Sequence, residues 1–227
     1  MAFVAGVAGP MPLARTVPGP RGSGEPPPLL TAIPGHGNQL ALTVDDGADT
    51  AVVTAVAQFC RDSGVRLTFF PNGINRSWTV NAPLLRPMVE SGQIQLGNHT
   101  WSHPKPTELS EKAVAEEIGR NAAFLRNTYG TDGAPYFRPP YRLRTAVTDR
   151  IAADLGYTTV ALWSSSLGDF RPQTEKQFVD SAKTAFQPRQ IVLAHANLPP
   201  FSHTYPQLLD IIHSRGLQTV TLADVFG

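Results

Sequence analysis

Two adjacent aspartates, Asp45 and Asp46, are followed more than fifty positions later by a pair of histidines, His99 and His103. Histidines four apart can turn both imidazoles toward one point if the segment is helical or tightly coiled. A carboxylate from another strand end supplies a third ligand. Two His and one Asp leave a position open on a divalent ion, which distinguishes a catalytic zinc site from a closed structural one. The other carboxylate of the pair is then free to act on a water made acidic by the ion. Together these residues could carry out metal-dependent hydrolysis.

Further along the chain, Phe137-Arg138-Pro139-Pro140-Tyr141 sets a cation before a stiff Pro-Pro corner. A guanidinium there can hold a carboxylate by two parallel hydrogen bonds. Ile191-Val192-Leu193-Ala194-His195 ends an apolar run with a histidine, a place for a general acid at a pocket mouth. Plainer readings stand beside each of these: an ordinary Asp-Asp-Gly turn, two surface-loop histidines, a salt-bridged loop arginine, and a histidine that satisfies a backbone group.

Positioning such groups requires strands that end together. Neighbouring residues of a strand point to opposite sides, so Asp45 and Asp46 can both serve one site only if the strand stops there, and Gly47 permits the turn. Apolar runs at Leu40–Val44, Arg66–Phe70, Ile94–Leu96, Tyr136–Arg138, Tyr157–Trp163, Ile191–Ala194 and Leu217–Val220 predict strands. Helical spacing separates them: Val52, Val56 and Phe59; Pro83 to Glu90; Val114, Ile118 and Leu125 behind a Ser110 N-cap; Thr145 to Leu155; Phe178 to Phe186; Pro206 to Ser214. The alternation predicts an α/β fold, a distorted (β/α) barrel of about seven parallel strands with its chemistry at the strands' C-terminal ends. Residues 1–38, rich in Pro and Gly, read as an extended arm, and 39–227 as the catalytic domain.

Bulk properties narrow the partners. The formal net charge is +1 with no basic run, which argues against nucleic acid and anionic membranes. Cys60, the only cysteine, reads as a core residue beside Val56 and Phe59. No apolar run is long enough to span a bilayer. Met1 to Ala8 is apolar but lacks the preceding basic residues of a complete secretory signal. A monomer is expected. Trp78, Trp101, Tyr141 and Phe201 are candidate sugar-stacking and substrate-contacting surfaces, Trp101 foremost among the tryptophans because it lies between the two histidines. Asn75-Arg76-Ser77 and Asn98-His99-Thr100 match the glycosylation sequon, and the second would obstruct the histidine pair.

Thr43–Gly47, His99–His103, Arg138–Tyr141 and Leu193–His195, in this order, resemble the successive motifs of the polysaccharide deacetylase family, the NodB-homology domain of carbohydrate esterase family four. The resemblance covers roughly residues 39 to 222. It implies Asp45 as general base and Asp46, His99 and His103 as ligands of a divalent ion, Zn²⁺ foremost, with Co²⁺ or Ni²⁺ as other candidates. Arg138 would hold Asp45, the Tyr141 N–H would help stabilise an oxyanion, and His195 would be the general acid. Leu193 would line the acetyl pocket, and the motif around Trp163 to Phe170 would add another pocket wall. The implied reaction removes N-acetyl groups from amino-sugar polymers such as peptidoglycan or chitin-like glycans, at the cell envelope or outside the cell. The alternatives are an O-acetyl esterase on xylan-type glycans, a small-amide hydrolase, and an inactive glycan-binding relative.

The chain departs from the family pattern in places. Val44 stands for a usual Phe, Arg142 for a common Gly, and Ala196 for a common acidic residue. Where the family often shows Asp-x-x-Asp-Trp, this chain reads Ser166-Leu167-Gly168-Asp169-Phe170. If the missing Asp at Ser166 normally stabilises the protonated form of His195, the acid is less charged here and the pH optimum lower, unless Asp169 compensates.

Overall fold

A computed structural model describes residues 27–227. The strands are β1 (Leu29–Leu30), β2 (Gln39–Asp46), β3 (Leu67–Pro71), β4 (Ile94–Leu96), β5 (Tyr136–Phe137), β6 (Thr159–Ala161), β7 (Ser165–Ser166), β8 (Ile191–His195) and β9 (Gln218–Val220). Every pairing between them is parallel. One sheet runs β4-β3-β2-β8-β7, with β9 on β2, and a second runs β1-β6-β5. A bridge between Asn98 and Phe137 joins them at one edge, and a bridge between Ala32 and Gln190 ties the chain beside β1 to the start of β8. The result is an irregular ring of strands, the distorted barrel expected from the alternation.

The two strands absent from the sequence reading, β1 and β7, are two residues long, too short to carry a period. β1 falls within the expected arm and pairs with β6. Residues 1–26 of that arm lie outside the described residues.

The helices α1 (Thr50–Ser63), α2 (Arg76–Val80), α3 (Ala82–Glu90), α4 (Glu111–Tyr129), α5 (Ala146–Asp154), α6 (Glu175–Ala185), α7 (Pro200–His203), α8 (Tyr205–Ser214) and α9 (Leu222–Phe226) complete the chain. Their ends follow local chemistry. Asp49 caps α1 by accepting from the Ala51 and Val52 N–H groups, and Gly64 in the left-handed region stops it. Ser110 caps α4, as its sequence suggested. α1 buries Val52, Val53, Val56, Ala57, Phe59 and Cys60, so Cys60 is core and its thiol is pushed well above the usual range by burial. None of the described helices is long and apolar enough to cross a membrane.

β2 is buried along nearly its whole length: β3, β8 and β9 cover its edges, and Leu40, Leu42 and Val44 pack in one core with Val52, Val53 and Val56 of α1. It ends where the Asp pair required. Asp46 has φ 68° and Gly47 φ 78°, so the chain turns left-handed within the pair. Trp78 lies directly beneath this turn, fully buried, with its indole N–H donating to the Asp46 carbonyl at 2.8 Å. It is therefore a core support and not a sugar-stacking surface. Phe201 is likewise buried, against Phe178 and Tyr205.

A Cβ at Gly47 would both strain the backbone and run into the Trp78 indole. Gly47→Ala should therefore cost about 2–4 kcal/mol of stability, seen in urea unfolding as a lower midpoint with an unchanged slope. An unaltered midpoint would show that the turn has room the geometry denies.

Candidate metal and acid–base site

The singled-out residues converge at the C-terminal ends of the strands. Asp45 and Asp46 close β2, His99 follows β4, Arg138 follows β5, Trp163 follows β6, and His195 closes β8. Asp45 and His195 are register partners on adjacent strands, which fixes two titratable groups side by side.

His99 Nε2 stands 3.3 Å and His103 Nε2 3.5 Å from Asp46 Oδ1. The His segment is a tight coil rather than a helix: Thr100 and His103 have φ of 68° and 61°. A buried polar network holds that coil. Asn72 donates to the His99 and Thr100 carbonyls, and Asn98 accepts from the Thr100 N–H. Asn121 of α4 bonds the Pro71 carbonyl, the Gly73 N–H and Asn98, and the Glu117 carboxylate takes both the N–H and the hydroxyl of Ser102.

These three side chains fit a cation. Asp46 Oδ1 is buried and has no hydrogen-bond partner, while Oδ2 accepts from Asn197 at 2.8 Å. One oxygen is thus pinned and the other is left facing the two imidazoles, and one donor atom from each residue lies within 4.8 Å of the others. The His99 Nδ1–H donates to the Arg138 carbonyl at 2.6 Å, which leaves the Nε2 lone pair toward the gap. Nitrogen donors from His with one carboxylate oxygen suit a borderline divalent ion such as zinc.

Electrostatics agree. Burial disfavours the charged forms of Asp46 and His99, yet their attraction prevails, leaving the Asp46 carboxyl well below the usual range and His99 above its own. His103 is pushed down to about 4 by burial and by the neighbouring His99, so its ring stays neutral as a ligand must. The negative field that draws a proton onto His99 would equally draw a metal cation.

Asp45 is nearly inaccessible to solvent, with Oδ1 2.7 Å from Arg138 Nη1 and Oδ2 3.6 Å from His99 Nε2. The two-fold grip expected of Arg138 on the carboxylate is not what forms. Nη1 serves both Asp45 and the Thr43 hydroxyl, Nε donates to the Ala161 carbonyl, and Nη2 to the Leu162 carbonyl. The guanidinium is fully buried among several strands, and each needs a share of its donors.

On the opposite side the His195 Nδ1–H donates to Asp169 Oδ1 at 2.8 Å, and the His195 backbone N–H donates to Asp169 Oδ2 at 2.7 Å. Asp169, not Ser166, is therefore the partner; the Ser166 hydroxyl accepts from the Gly168 N–H. Burial works against the imidazolium, but Asp169, with Asp45 and Asp46 behind it, lifts His195 to about 9.

Leu193 and Trp163 sit near these groups: Leu193 is buried on β8, and the Trp163 ring lies 5.5 Å from the Arg138 guanidinium. The Tyr141 ring is 58% exposed and packs edge-on to His103 with centroids 4.5 Å apart, and its N–H finds no acceptor among the described residues. Trp101 turns the other way. Its ring packs on Phe124 and under the Arg120 guanidinium of α4, because its neighbours His99 and His103 take the inward positions. Neither sequon asparagine is free: Asn75 donates to the Asp46 carbonyl and Asn98 to the Ile118 carbonyl.

Asn72, Asn121, Glu117 and Asn197 were not singled out from the sequence. Asn121 did leave a signal, since it interrupts the apolar stripe of α4 between Ile118 and Leu125. Asn197 left none.

Known proteins share this arrangement of strands and sequence. A peptidoglycan-N-acetylglucosamine deacetylase of Listeria monocytogenes is 27% identical over 193 residues, covering 83% of this chain and 39% of that protein. The solved chitin deacetylase of the fungal pathogen Colletotrichum lindemuthianum superposes with a TM-score of 0.76 at 23% identity, covering 88% and 91% of the two chains. A CE4-family pseudoenzyme from Bacillus anthracis superposes equally well, TM-score 0.76 at 16% identity, over 88% and 69% of the chains. Likeness at those identities speaks for the fold alone. The sequence profile of polysaccharide deacetylases matches residues 32–160, a stretch that carries the Asp pair, both histidines and the Arg138 corner; the chain belongs to the polysaccharide deacetylase family.

Proposed function

We propose that this protein is a metal-dependent deacetylase that removes N-acetyl groups from amino-sugar polymers, peptidoglycan or chitin-like, and releases acetate. The observation that carries the reading is the unpartnered, buried Asp46 Oδ1 facing His99 and His103, with Asp45 and His195 on either side. The substrate class comes from sequence relatives named as deacetylases of peptidoglycan, in Listeria monocytogenes, and of chitooligosaccharides, in a Bradyrhizobium strain. It also suggests work at the cell envelope or outside the cell.

Asp46, His99 and His103 would hold a divalent ion, Zn²⁺ by the donor set, with Co²⁺ or Ni²⁺ as other candidates. Such an ion supplies Lewis acidity: it draws electron density from the acetyl carbonyl and makes water acidic near neutral pH. Asp45 would take the proton of the attacking water. Arg138 keeps that carboxylate aimed by donating to its Oδ1 at 2.7 Å. The free Tyr141 N–H would donate to the oxyanion as it develops, and Leu193 and Trp163 would wall the acyl pocket.

An amine is a poor leaving group until protonated. His195 would give its Nε2 proton to the departing nitrogen as the C–N bond breaks. Its high proton affinity favours an amide over an ester substrate, because an alkoxide leaves with less help. This speaks against the O-acetyl reading, and the intact acid–base pair speaks against an inactive glycan binder.

The test joins metal analysis to acetate release from chitooligosaccharides, acetylated xylan and small amides. Chelation should abolish acetate release and Zn²⁺ or Co²⁺ should restore it. His99→Ala should weaken metal affinity by about a hundredfold or more. Asp45→Asn, which keeps an acceptor for Arg138, should retain metal and lose about 10²–10⁴ in kcat. Full activity in Asp45→Asn, or indifference to chelation, would remove the basis of the reading.

The pH profile tests the acid. His195 is raised, so the required imidazolium is present below its pKa and lost as pH rises through about 9. Asp169→Asn removes the group that outweighs burial. The alkaline limb of kcat/KM should therefore fall toward the ordinary imidazole value near 6.5, with the acidic limb unmoved. An alkaline limb that stays in place would mean that another group is the acid.

A further inference from the structure

Arg142 occupies an unusual backbone position. Tyr141 and Arg142 have φ of 57° and 60°, two consecutive left-handed residues after the Pro139-Pro140 corner. Non-glycine residues in that region are strained, and such strain persists where the surroundings impose it and the side chain has a use. A glycine at position 142 would relieve it. The family resemblance is to chains that commonly carry one there.

The Arg142 side chain is exposed and uncommitted. The other cations of this stretch are paired: Arg138 with Asp45, Arg144 with Asp149, and Lys105 with Glu108. Arg142 finds no carboxylate and no hydrogen-bond acceptor among the described residues. Its guanidinium carbon instead lies 5.0 Å from the centre of the Trp163 ring. That ring also borders Arg138, which holds Asp45, and the preceding residue, Tyr141, packs on His103. Arg142 therefore stands one residue from the wall of the metal triad and one ring from the partner of Asp45. Stacking on Trp163 orients the guanidinium and leaves its planar fork of donors open.

We propose that Arg142 and Trp163 form a subsite for a carboxylate borne by the glycan beside the acetamido group undergoing cleavage, making an acidic amino-sugar polymer the preferred substrate. The carboxylate would meet the Arg142 fork, which the Trp163 ring supports from behind. Arg142 is then a specificity-determining residue. This subsite rests on the glycan reading above, although its ligand is recognised by charge and not by turnover.

The experiment uses the Zn²⁺-loaded protein and two oligosaccharides of equal length, carboxymethyl- and hydroxyethyl-chitooligosaccharide, matched in size and different in charge. Calorimetry gives both dissociation constants, and acetate release is followed in the same samples. At low salt the carboxymethyl ligand should bind about threefold to tenfold tighter, and the advantage should shrink as salt rises. Arg142→Gly should bring the ratio to about one with a melting temperature equal to or above that of the parent, since it removes strain. Arg142→Lys, which keeps charge but not the fork, should retain part of the preference. A parent protein without the preference, or Arg142→Gly that keeps it, overturns the subsite. The preference intact with no acetate from either ligand would sink the deacetylase reading and leave the subsite standing.

Discussion

A fully buried guanidinium must find acceptors for its donors or the fold around it fails, and Arg138 imposes that condition here. Its bonds reach Thr43 and Asp45 on β2 and the Ala161 and Leu162 carbonyls at the end of β6. The Phe70 ring lies 4.1 Å beneath it. One side chain thus sets the spacing between the two sheets and the aim of Asp45 together. A buried ion pair is weak evidence for stability, since apolar packing of equal volume does as well. Its value here is placement. The carboxylate cannot rotate without stranding a charge, and the Arg138 carbonyl meanwhile fixes the tautomer of His99.

Backbone strain gathers around the same point. Of the six non-glycine residues with positive φ among the described residues, five lie around the site: Asp46, Thr100, His103, Tyr141 and Arg142. Each costs about 1–3 kcal/mol, so their neighbours must over-determine them. The Asp46 carbonyl accepts from the Asn75 side chain, the Trp78 indole and the Asn72 N–H. Thr100 is held through Asn98 and Asn72, and His103 through the Thr100 hydroxyl. The core tryptophan and the buried asparagines thus act on function through φ angles without touching a substrate. The same strain explains why Gly47 cannot bear a side chain while its neighbour Asp46 must.

Much of this was legible in the sequence, for physical reasons. Parallel strands buried on both faces write themselves as apolar runs, and Gly or Pro marks where they stop. Ile94–Leu96 was therefore bounded as observed, and the ends of β2 and β8 fell beside the residues with chemistry. What was not legible depends on the third dimension. Whether Asp169 or Ser166 serves His195 turns on a loop whose Gly168 has φ 71° and whose register no period encodes. In one dimension Trp101, set between the two histidines, is a better sugar platform than Trp78, yet Trp78 lies under a turn and Trp101 packs on α4. Asn197, which pins Oδ2 of Asp46 and leaves Oδ1 free, is one polar loop residue among many until β8 brings it next to β2.

The pairing of β2 with β8 has a consequence for how acid and base cooperate. Asp45 and His195 sit opposite each other in register, the Ala196 N–H donates to the Asp45 carbonyl, and Asn197 reaches Asp46. The short segment 195–197 therefore carries the proposed acid, a clamp on the strand of the proposed base and a clamp on a proposed metal ligand. An ion held by the triad would offset the pull of Asp45 and Asp46 on His195, leaving Asp169 as the main source of its high proton affinity. That division is chemically sensible. An acid that drew its charge from the metal site would lose it whenever the cation bound. A buried carboxylate of its own, fixed through both the ring and the backbone of His195, keeps the proton affinity of His195 independent of the ion.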